Sequence, residues 1–494
     1  MTFRAVKPID GSSYGAEIGE NTKAEVDSLI ELAAATSASL AQQSPAERAA
    51  LLRAIAAAIE STRETLIETA CAETALPEAR IAGEVTRTSV QFELFARLVE
   101  SGRHLAVVID KADPNYSPAP RPDIRKMNQP LGVVAIFAAS NFPLAFSVAG
   151  GDAASAIAAG NPIVAKAHPS HPNTCAIVEK AIKSALTQCG VSPNAYSVVQ
   201  GTNPHITHWL AQHPAITAVG FTGSETVGRI LVELGARRTN PIPVYAEMGS
   251  LNPVFVTQKA IDERSEALAK GLVDSALMGS GQFCTKPGLI FAPADSAFIA
   301  TMKSHLASLS VAPLLSKTIA DRYSAAITAL TSSGKIEIAT GVAQTEGFAA
   351  TPTIFFTDWQ TASKNSSLLE EHFGPTTVVI TCEEEQYPEI ASALHGQLTA
   401  TIHGTDADRV SDLVSVLKEK AGRVIWNGFP TGVAVTSAMN HGGPWPASSS
   451  FTTSVGTDAI YRFMRPVAYQ GFSQAALPEP LHDANPWSVP QTIN

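Results

Sequence analysis

Residues 131–170 read LGVVAIFAASNFPLAFSVAGGDAASAIAAGNPIVAKAHPS and contain the alternation of elements that decides the fold. An apolar strand at 131–139 precedes a helix of small residues at 149–160, and a second apolar strand follows at 161–168. The same strand-helix order continues to residue 223. Strands that alternate with helices in this way are parallel and are joined by right-handed crossovers. The sequence therefore predicts an α/β fold with a doubly wound, Rossmann-like nucleotide-binding sheet.

The flanking regions differ in character from this stretch. Residues 22–105 are rich in Ala, Leu and Glu with apolar positions at helical spacing, which predicts helices. Residues 112–130 are Pro-rich and polar, and they are consistent with either a linker or an exposed edge hairpin. After about residue 260 a second set of helical and strand-like segments predicts another α/β domain.

Composition excludes several classes of partner. The chain has 494 residues and a net charge of -10, so it has no electrostatic reason to bind nucleic acid or an anionic membrane. Its five cysteines lack CxxC or Cys/His ligand spacing, which argues against a disulfide framework or a structural zinc site. The N-terminal MTFRAVKPIDGSS has no apolar core of a signal peptide. We expect a cytoplasmic protein with no bound metal.

One uncharged run tests this expectation. Residues 127–151 carry no charged side chain and are long enough to span a bilayer. Asn141 and Pro143 interrupt the run, however, and glycines end it. A buried strand, a turn and the start of a buried helix are therefore predicted instead of a membrane span.

Cys284 lies in GSGQFCTKPG, where glycines on both sides let the backbone approach a ligand closely. A lone cysteine is more often an inert core residue than a nucleophile. A nucleophilic cysteine needs partial exposure and some thiolate, since a free thiol with a pKa near ~8.5 is only slightly ionised at neutral pH. The Gly-Gln-x-Cys-Thr context makes Cys284 a candidate nucleophile.

Two polar residues follow apolar strands. Glu247, in YAEMGS, is either a solvated or capping carboxylate or, beside a reactive cysteine, a general base that activates water. Asn141, in AASNFP, is either a turn residue before Pro143 or an amide donor in an oxyanion hole.

A further group of residues fits a nucleotide. The segment from Gly223 through Ser224 to Gly228 follows a strand and opens a helix, and such a turn presents free N–H groups and the positive helix end to phosphate. Lys166 ends another strand and is either a solvated lysine or a contact to cofactor hydroxyls or phosphate. Gly201 ends the strand after that and belongs to the same candidate group.

Five motifs occur together in a characteristic order. They are NFP at 141–143, FTGSETVG at 221–228, EMGS at 247–250, GQFCT at 281–285 and EEHFGP at 370–375. Jointly they resemble the aldehyde dehydrogenase superfamily over about residues 25–470. Three longer stretches, at 137–172, 427–433 and 441–470, are similar to the branch that holds α-ketoglutarate semialdehyde (2,5-dioxopentanoate) dehydrogenases and NADP-dependent fatty aldehyde dehydrogenases.

The resemblance implies a role for each matching residue. Cys284 would attack the aldehyde, Asn141 and the backbone N–H of Cys284 would hold the oxyanion, and Glu247 would help water to hydrolyse the thioester. Ser224 would contact the pyrophosphate, Lys166 the adenosine ribose and Glu371 the nicotinamide ribose, with Phe373 beside it. The full candidate cofactor set is Lys166, His168, Gly201, Gly223, Ser224, Gly228, Glu371 and Phe373.

The resemblance also implies a three-part organisation and a homodimer or a dimer of dimers. The expected parts are an NAD(P)-binding domain at 1–112 and 131–248, a catalytic domain at 249–447, and an oligomerisation element and tail at 113–130 and 448–494.

Two positions, Pro169 and Ser250, depart from the common family pattern. Many NAD-preferring relatives carry Glu three residues after the lysine, where this chain has Pro169. With no carboxylate to repel a 2′-phosphate, and with Lys166 and His168 nearby, NADP is favoured over NAD, the alternative being a site indifferent to that phosphate. The usual Gly-Gly after the base is Gly249-Ser250 here, a small change.

The substrate is the least constrained prediction. The favoured substrate, α-ketoglutarate semialdehyde, needs a cationic anchor for its carboxylate, and Arg87 is the candidate, the alternative being an ordinary salt bridge. The uncharged stretch 448–453 stands where this branch is expected to carry an Asp and an Arg. A medium or long aliphatic aldehyde is therefore the alternative substrate.

Two other classes of function remain as alternatives. A CoA-acylating dehydrogenase would pass the acyl group from the cysteine to CoA. A base at Glu247 argues against this, because it would activate water to hydrolyse the thioester first. A non-catalytic binding protein would not need Cys284, Glu247 and Asn141 together.

Overall fold

The computed structural model describes residues 1–331 and 336–494. The helices are α1 Lys23–Ala41, α2 Pro45–Ser61, α3 Arg63–Thr74, α4 Glu78–Glu100, α5 Gly151–Ala159, α6 Pro172–Gln188, α7 His205–Gln212, α8 Glu225–Ala236, α9 Gln258–Leu277, α10 Ser296–Ala307, α11 Lys317–Thr331, α12 Trp359–Ala362, α13 Tyr387–Ala393 and α14 Ser411–Lys420. The strands are β1 Thr2–Val6, β2 Ser13–Gly19, β3 Val107–Asp110, β4 Ile124–Pro130, β5 Val133–Phe137, β6 Ile163–Lys166, β7 Tyr196–Val199, β8 Ile216–Thr222, β9 Val244–Glu247, β10 Val254–Val256, β11 Leu289–Ala292, β12 Glu337–Thr340, β13 Thr353–Asp358, β14 Thr376–Thr381, β15 Gln397–His403, β16 Ala421–Trp426, β17 Met464–Gln470 and β18 Gln491–Ile493.

The first large sheet is parallel, with the strand order β7-β6-β5-β8-β9. All five residues of β5 are buried, because helices cover both faces. Val134 and Ile136 join a core with α2 to α6, whereas Val133, Ala135 and Phe137 join a core with α1, α7 and α8. The doubly wound parallel sheet predicted from the sequence is confirmed.

The helical N-terminal region begins with two strongly capped helices. Thr22 and Ser44 each accept a hydrogen bond from the backbone three residues on, and Glu25 and Glu47 bond back to the caps. Such reciprocal capping satisfies backbone donors that a helix start leaves unpaired. The long helix α4 packs against α2 and α5 and brings its buried face towards the loop after β5.

The second large sheet has the order β12-β13-β14-β11-β10-β15-β16. Its strands are parallel except for the β12–β13 pair. The second α/β region predicted after residue 260 is therefore present, and its parallel strands begin with β10.

A line of hydrogen bonds, which we call the β9 seam, joins the end of β9 to residues 447–449. Met248 N donates to Ala447 O (2.8 Å), and Ser449 N donates to Ala246 O (2.9 Å). The Ser449 hydroxyl accepts from Ala246 N (2.8 Å) and donates to Val244 O (2.6 Å). The seam connects the first sheet to the segment that follows the second.

A four-stranded sheet has the order β17-β4-β3-β18. The antiparallel β3–β4 pair shows that the Pro-rich stretch contains the connection and second strand of a hairpin and is not a plain linker. Strand β17 lies on the outside of β4, and β18 pairs parallel with β3. Strand β3 joins this sheet although the sequence grouped residues 1–112 with the cofactor domain, because its pairing partners lie in β4 and the distant tail.

The uncharged run at 127–151 forms the end of β4, the strand β5, an irregular loop and the first residue of α5. Across the part of the chain that the structure describes, no helix combines the length and the apolarity needed to cross a membrane.

Candidate active site

The carboxyl ends of parallel strands place several candidate residues at one edge of the first sheet. Glu247 is the last residue of β9, Lys166 is the last residue of β6, and Asn141 lies four residues after β5. Cys284 arrives from the second region, in the turn that follows α9. Glu247, Asn141 and Cys284 therefore meet at this edge, where ligand sites of such sheets lie, and Lys166 lies at the end of another strand of the same sheet.

Cys284, Glu247 and His441 form a tight cluster. Their sulfur, carboxylate oxygen and ring nitrogen all lie within 4.8 Å of one another. Cys284 Sγ is 3.6 Å from His441 Nε2, and the same nitrogen is 2.8 Å from Glu247 Oε1. Cys284 is half-buried, whereas the other two residues are buried.

Neighbouring hydroxyls hold two members of this cluster. Ser454 donates from Oγ to Glu247 Oε2 (2.7 Å), and His441 N donates to Thr453 Oγ1 (2.8 Å). Glu247 Oε1 is buried and, among the described residues, accepts no hydrogen bond of good geometry, although His441 Nε2 lies 2.8 Å from it. Ser454 thus anchors one carboxylate oxygen, while the other oxygen faces His441 within the cluster.

His441 is the residue that the sequence reasoning missed. It opens the stretch HGGPWPASSS, which served only as evidence of family resemblance. The residue lies in an irregular loop, so neither strand-end position nor periodicity marked it. A histidine beside Gly-Gly in that stretch was the available signal.

The charges of the cluster act on its two acids in opposite directions. Burial raises the pKa of the Cys284 thiol well above its ordinary value, and the charge of Glu247 raises it further. Burial alone would also raise the pKa of Glu247, but His441 and the Ser454 hydrogen bond outweigh it and lower that pKa. The resting arrangement is a neutral thiol beside a carboxylate.

Asn141 lies against the backbone next to Cys284. Its Nδ2 donates to Gln282 O (2.9 Å), which occupies one of the two amide hydrogens. The second hydrogen remains for another acceptor.

A cavity of about 330 Å³ opens beside Cys284. Helix α4 contributes three charged side chains to its wall, Arg80, Glu84 and Arg87, and these lie on one face because of their i, i+4, i+7 spacing. The remaining wall is largely apolar and contains Phe142, Phe146, Phe283 and Val433. The cavity is therefore an aromatic pocket with two guanidinium groups and one carboxyl group.

Arg80 lies between the segments that carry Asn141 and Cys284. Its guanidinium carbon is 4.4 Å from the Phe142 ring centre and 4.6 Å from that of Phe283. Its Nη2 also donates to Asn141 O (3.3 Å). This one side chain contacts the residue after Asn141 and the residue before Cys284.

Arg87, the candidate substrate anchor, is in the same cavity wall. Its Nη1 donates to Val433 O, and its guanidinium lies 5.4 Å from the Phe146 ring centre. The buried Nε and Nη2 atoms have no hydrogen-bond partner within the described ranges. The ordinary salt bridge that was the alternative for this residue is not formed there.

Lys166 is the last residue of β6, and its amine binds backbone carbonyl groups of the protein. Nζ donates to Ala167 O (2.8 Å) and to Gly201 O, so the lysine and Gly201 are direct neighbours. Burial lowers the pKa of Lys166 to about 8.

His168 and Pro169 follow on the same loop. Burial, with the nearby charges of His171 and Lys166, lowers the pKa of His168 well below its ordinary value. The imidazole is therefore neutral at neutral pH and adds no positive charge for a 2′-phosphate. Of the two residues proposed for this place, Lys166 is the one that can supply a positive charge.

The glycine turn at 223–228 leads into α8. Ser224 is the residue before the helix, and its hydroxyl makes no capping hydrogen bond. A Cβ at Gly223 would overlap the Phe221 ring, and a Cβ at Gly228 would overlap Met248. Glycine at these two positions avoids both overlaps, and Ser224 gives the first turn of α8 no side-chain cap.

Glu371 and Phe373 lie on the loop before β14. A Cβ at Gly249 would overlap Glu371 Oε2, so the carboxylate lies directly against the backbone that follows Glu247. The buried Lys286 holds this loop by donating from Nζ to His372 O (2.7 Å) and Thr376 O (2.8 Å). Phe373 is half-buried on the same loop.

Comparison with known proteins identifies this arrangement. The aldehyde dehydrogenase family model matches residues 1–467. The chain belongs to the aldehyde dehydrogenase family and is an oxidoreductase that acts on aldehydes.

Two similar curated proteins match over nearly their whole length. The alpha-ketoglutaric semialdehyde dehydrogenase 2 of Azospirillum brasilense is 43% identical over 99% of this chain and 95% of its own. The alpha-ketoglutaric semialdehyde dehydrogenase of Acinetobacter baylyi is 40% identical over 100% of this chain and 95% of its own.

Solved structures share the fold at lower identity. PnpE, in complex with nicotinamide adenine dinucleotide, is 24% identical with a TM-score of 0.82, covering 97% of this chain and 96% of its own. Glyceraldehyde-3-phosphate dehydrogenase GapN from Methanocaldococcus jannaschii, complexed with NADP, is 20% identical with a TM-score of 0.81, covering 94% and 99%. The predicted fold class is confirmed.

Proposed function

We propose that this chain oxidises α-ketoglutarate semialdehyde to 2-oxoglutarate with NAD(P)⁺ and water. The observation that carries the substrate choice is Arg87, whose Nε and Nη2 are buried beside Cys284 without a partner in the described structure. A planar guanidinium recognises a carboxylate through two parallel hydrogen bonds, and these two atoms form one such edge. The two curated relatives at 40–43% identity carry the same substrate in their names.

Charge in the cavity separates this substrate from an aliphatic aldehyde. Arg80 and Arg87 carry two positive charges in the cavity wall, and Glu84 carries one negative charge, so the wall is net positive. An alkyl chain would remove water from these groups without offering them a partner. The aromatic residues favour an aliphatic chain, which therefore remains the second candidate. A short substrate with a terminal carboxylate uses both parts of the wall.

The first chemical step forms a bond between Cys284 Sγ and the aldehyde carbon. Because the thiol is neutral, its proton must leave as the bond forms, and the His441–Glu247 pair is the acceptor within reach. The second hydrogen of Asn141 Nδ2 and the backbone N–H of Cys284 stabilise the developing oxyanion.

The nicotinamide of NAD(P)⁺ supplies the hydride acceptor when it is bound. Loss of hydride leaves a thioester on Cys284, and Glu247 then takes a proton from the attacking water. The thiolate leaves, is reprotonated, and the acid is released. The sum is aldehyde, NAD(P)⁺ and water giving carboxylic acid, NAD(P)H and a proton.

The residues at the edge of the first sheet fit such a cofactor. Lys166 and Gly201 are adjacent at the strand ends, and the uncapped start of α8 after Ser224 can receive phosphate oxygens. Glu371 lies against Gly249, on the side of the cleft that faces Cys284. Pro169 leaves no carboxylate to repel a 2′-phosphate, so we infer that NADP is accepted and preferred.

The proposal includes the three-part division expected from the sequence, a cytoplasmic location and assembly of identical chains. The cysteines among the described residues are free, which suits a reducing compartment. Strand β17 leaves one edge of its sheet open for a second copy.

An aldehyde panel tests the substrate and the cofactor together. Rates are measured with α-ketoglutarate semialdehyde and with hexanal, each with NAD⁺ and NADP⁺, with and without CoA. We expect the highest kcat/KM for the semialdehyde with NADP⁺, no dependence on CoA, and no turnover by Cys284→Ala.

Arg87→Met tests the anchor. Loss of a charge-assisted contact of about 1.5–3 kcal/mol should raise KM for the semialdehyde roughly tenfold or more and leave KM for hexanal nearly unchanged. Arg97→Met, at an exposed position of the same helix, is the matched control. An unchanged KM in Arg87→Met would overturn the anchor, and a preference for hexanal would overturn the substrate.

A further inference from the structure

Glu247, Cys284 and His441 come from three distant places in the chain. Glu247 ends β9, Cys284 follows α9, and His441 lies in the loop after β16. Their potential ligand atoms nevertheless fall within 4.8 Å of one another. A thiolate, an imidazole and a carboxylate are the three ligand types that proteins use for zinc.

The sulfur–nitrogen separation matches a tetrahedral site. Zinc bonds of about 2.3 Å to sulfur and about 2.0–2.1 Å to nitrogen place those two ligands about 3.6 Å apart at a tetrahedral angle. Cys284 Sγ and His441 Nε2 are 3.6 Å apart. The carboxylate and the imidazole would need about 3.3 Å, and Glu247 Oε1 is 2.8 Å from Nε2, so a side-chain movement of about half an ångström suffices.

An unsatisfied atom independently points to a ligand at this place. Glu247 is 4% exposed, and within residues 1–331 and 336–494 its Oε1 accepts no hydrogen bond of good geometry, although His441 Nε2 lies 2.8 Å away. Buried carboxylate oxygens are normally paired with a donor or a metal ion. The other oxygen is fixed by Ser454, which keeps Oε1 directed into the cluster.

We propose that Glu247, Cys284 and His441 bind Zn²⁺ with a fourth position open to the cavity, and that the bound ion reversibly blocks the nucleophile. Zinc replaces the thiol proton, so binding forms a sulfur–zinc bond and releases one proton with no change in oxidation state. Water from the cavity is the fourth ligand. Hard, oxygen-preferring ions such as Mg²⁺ do not suit this ligand set.

The ligands are 37 and 157 positions apart along the chain, counted as 284 minus 247 and 441 minus 284. The absence of short Cys/His spacing, which argued against a structural zinc site, does not apply to a site that the fold assembles. The proposed ion inhibits the enzyme and has no part in holding the chain together.

Metal binding is tested directly on the EDTA-treated, desalted protein. Zn²⁺ is titrated in competition with a chromophoric chelator, with the released protons followed in weak buffer. We expect one Zn²⁺ per chain, about one proton released, and loss of aldehyde oxidation that EDTA reverses. Mg²⁺ at the same concentration should have no effect.

Ligand variants and cobalt identify the site. Cys284→Ser and His441→Gln should each weaken Zn²⁺ binding by more than about tenfold, whereas Cys189→Ser, at an exposed thiol, should bind as the parent does. Co²⁺ should produce thiolate-to-metal charge-transfer absorption in the parent and in Cys189→Ser, and none in Cys284→Ser.

Circular dichroism confirms that the variants are folded, and the cobalt spectrum does not depend on catalysis. Unchanged Zn²⁺ affinity in Cys284→Ser, or inhibition abolished by Cys189→Ser, would overturn the site. Both results would leave the proposed oxidation of the semialdehyde intact.

Discussion

The Cys284 thiol is placed where its own environment opposes ionisation. Burial is the larger cause of its raised pKa, and the Glu247 carboxylate adds to it. A cysteine in this state reacts only as its proton is removed, which protects the resting enzyme from alkylation and oxidation. Reactivity is thereby coupled to the neighbouring base.

Glu247→Gln tests two effects of the carboxylate, which raises the pKa of Cys284 and acts as the base in hydrolysis of the thioester. Removing the negative charge lowers the pKa of Cys284, so the pH profile for alkylation of this thiol by iodoacetamide should move to lower pH. The thioester should meanwhile accumulate, because its hydrolysis loses the base.

Mass spectrometry of the Cys284 peptide measures both effects, with Cys189 in the same sample as an internal control. A profile that stays in place or moves to higher pH would contradict the electrostatic role of Glu247.

At the residue scale, positions at strand ends could be predicted from the local sequence, whereas the loop position of His441 could not. Asn141, Lys166 and Glu247 follow apolar parallel strands, and the carboxyl ends of such strands meet at one edge. His441 lies far into the irregular loop after β16, and its place beside Cys284 depends on a contact between residues 157 positions apart. No local pattern encodes that contact.

At the scale of elements, helix α4 connects the substrate cavity to the loop after β5. Glu84 is 3% exposed, and its Oε1 accepts from Leu144 N (3.2 Å) and Ala145 N (3.1 Å). Arg80, one turn earlier, contacts Asn141, Phe142 and Phe283. The helix therefore fixes the loop that carries Asn141 relative to the turn that carries Cys284.

Arg80→Lys keeps the charge and loses the planar group between the two rings. Cation–π contacts contribute about 0.5–2 kcal/mol each, so we expect kcat to fall about tenfold or more as Asn141 and Cys284 lose alignment. KM for the semialdehyde should change less than kcat, because Arg87 remains. Steady-state kinetics separate the two constants.

Arg97→Lys, the same substitution at an exposed position of α4, is the control for Arg80→Lys. If KM rose tenfold with kcat unchanged, Arg80 would be a substrate anchor and not a positioning residue.

At the scale of the whole molecule, the two large sheets were predictable and the small one was only partly so. Alternating apolar strands and helices specify the first sheet locally. The four-stranded sheet pairs β4 with β17 and β3 with β18, which join residues more than 300 positions apart. The sequence left the Pro-rich stretch open between linker and hairpin, because β4 pairs with the nearby β3 on one side but with β17 of the distant tail on the other.

The open edge of β17 and the 94% exposed side chain of Phe451 lead us to expect association of identical chains. Light scattering after size exclusion should give about two or four times the chain mass of 51.8 kDa. Phe451→Ser should shift the distribution towards lower mass. A single-chain mass for the parent at micromolar concentration would contradict the expectation.

The β9 seam bears on how the cofactor enters and leaves. Swinging the two large sheets apart at this point would break the backbone bonds Met248 N to Ala447 O and Ser449 N to Ala246 O, next to the base itself. A hinge at that place would disorder Glu247 in every turnover. We therefore expect nucleotide exchange to proceed by local rearrangement of peripheral loops, within a rigid frame, and not by opening and closing like a clamshell.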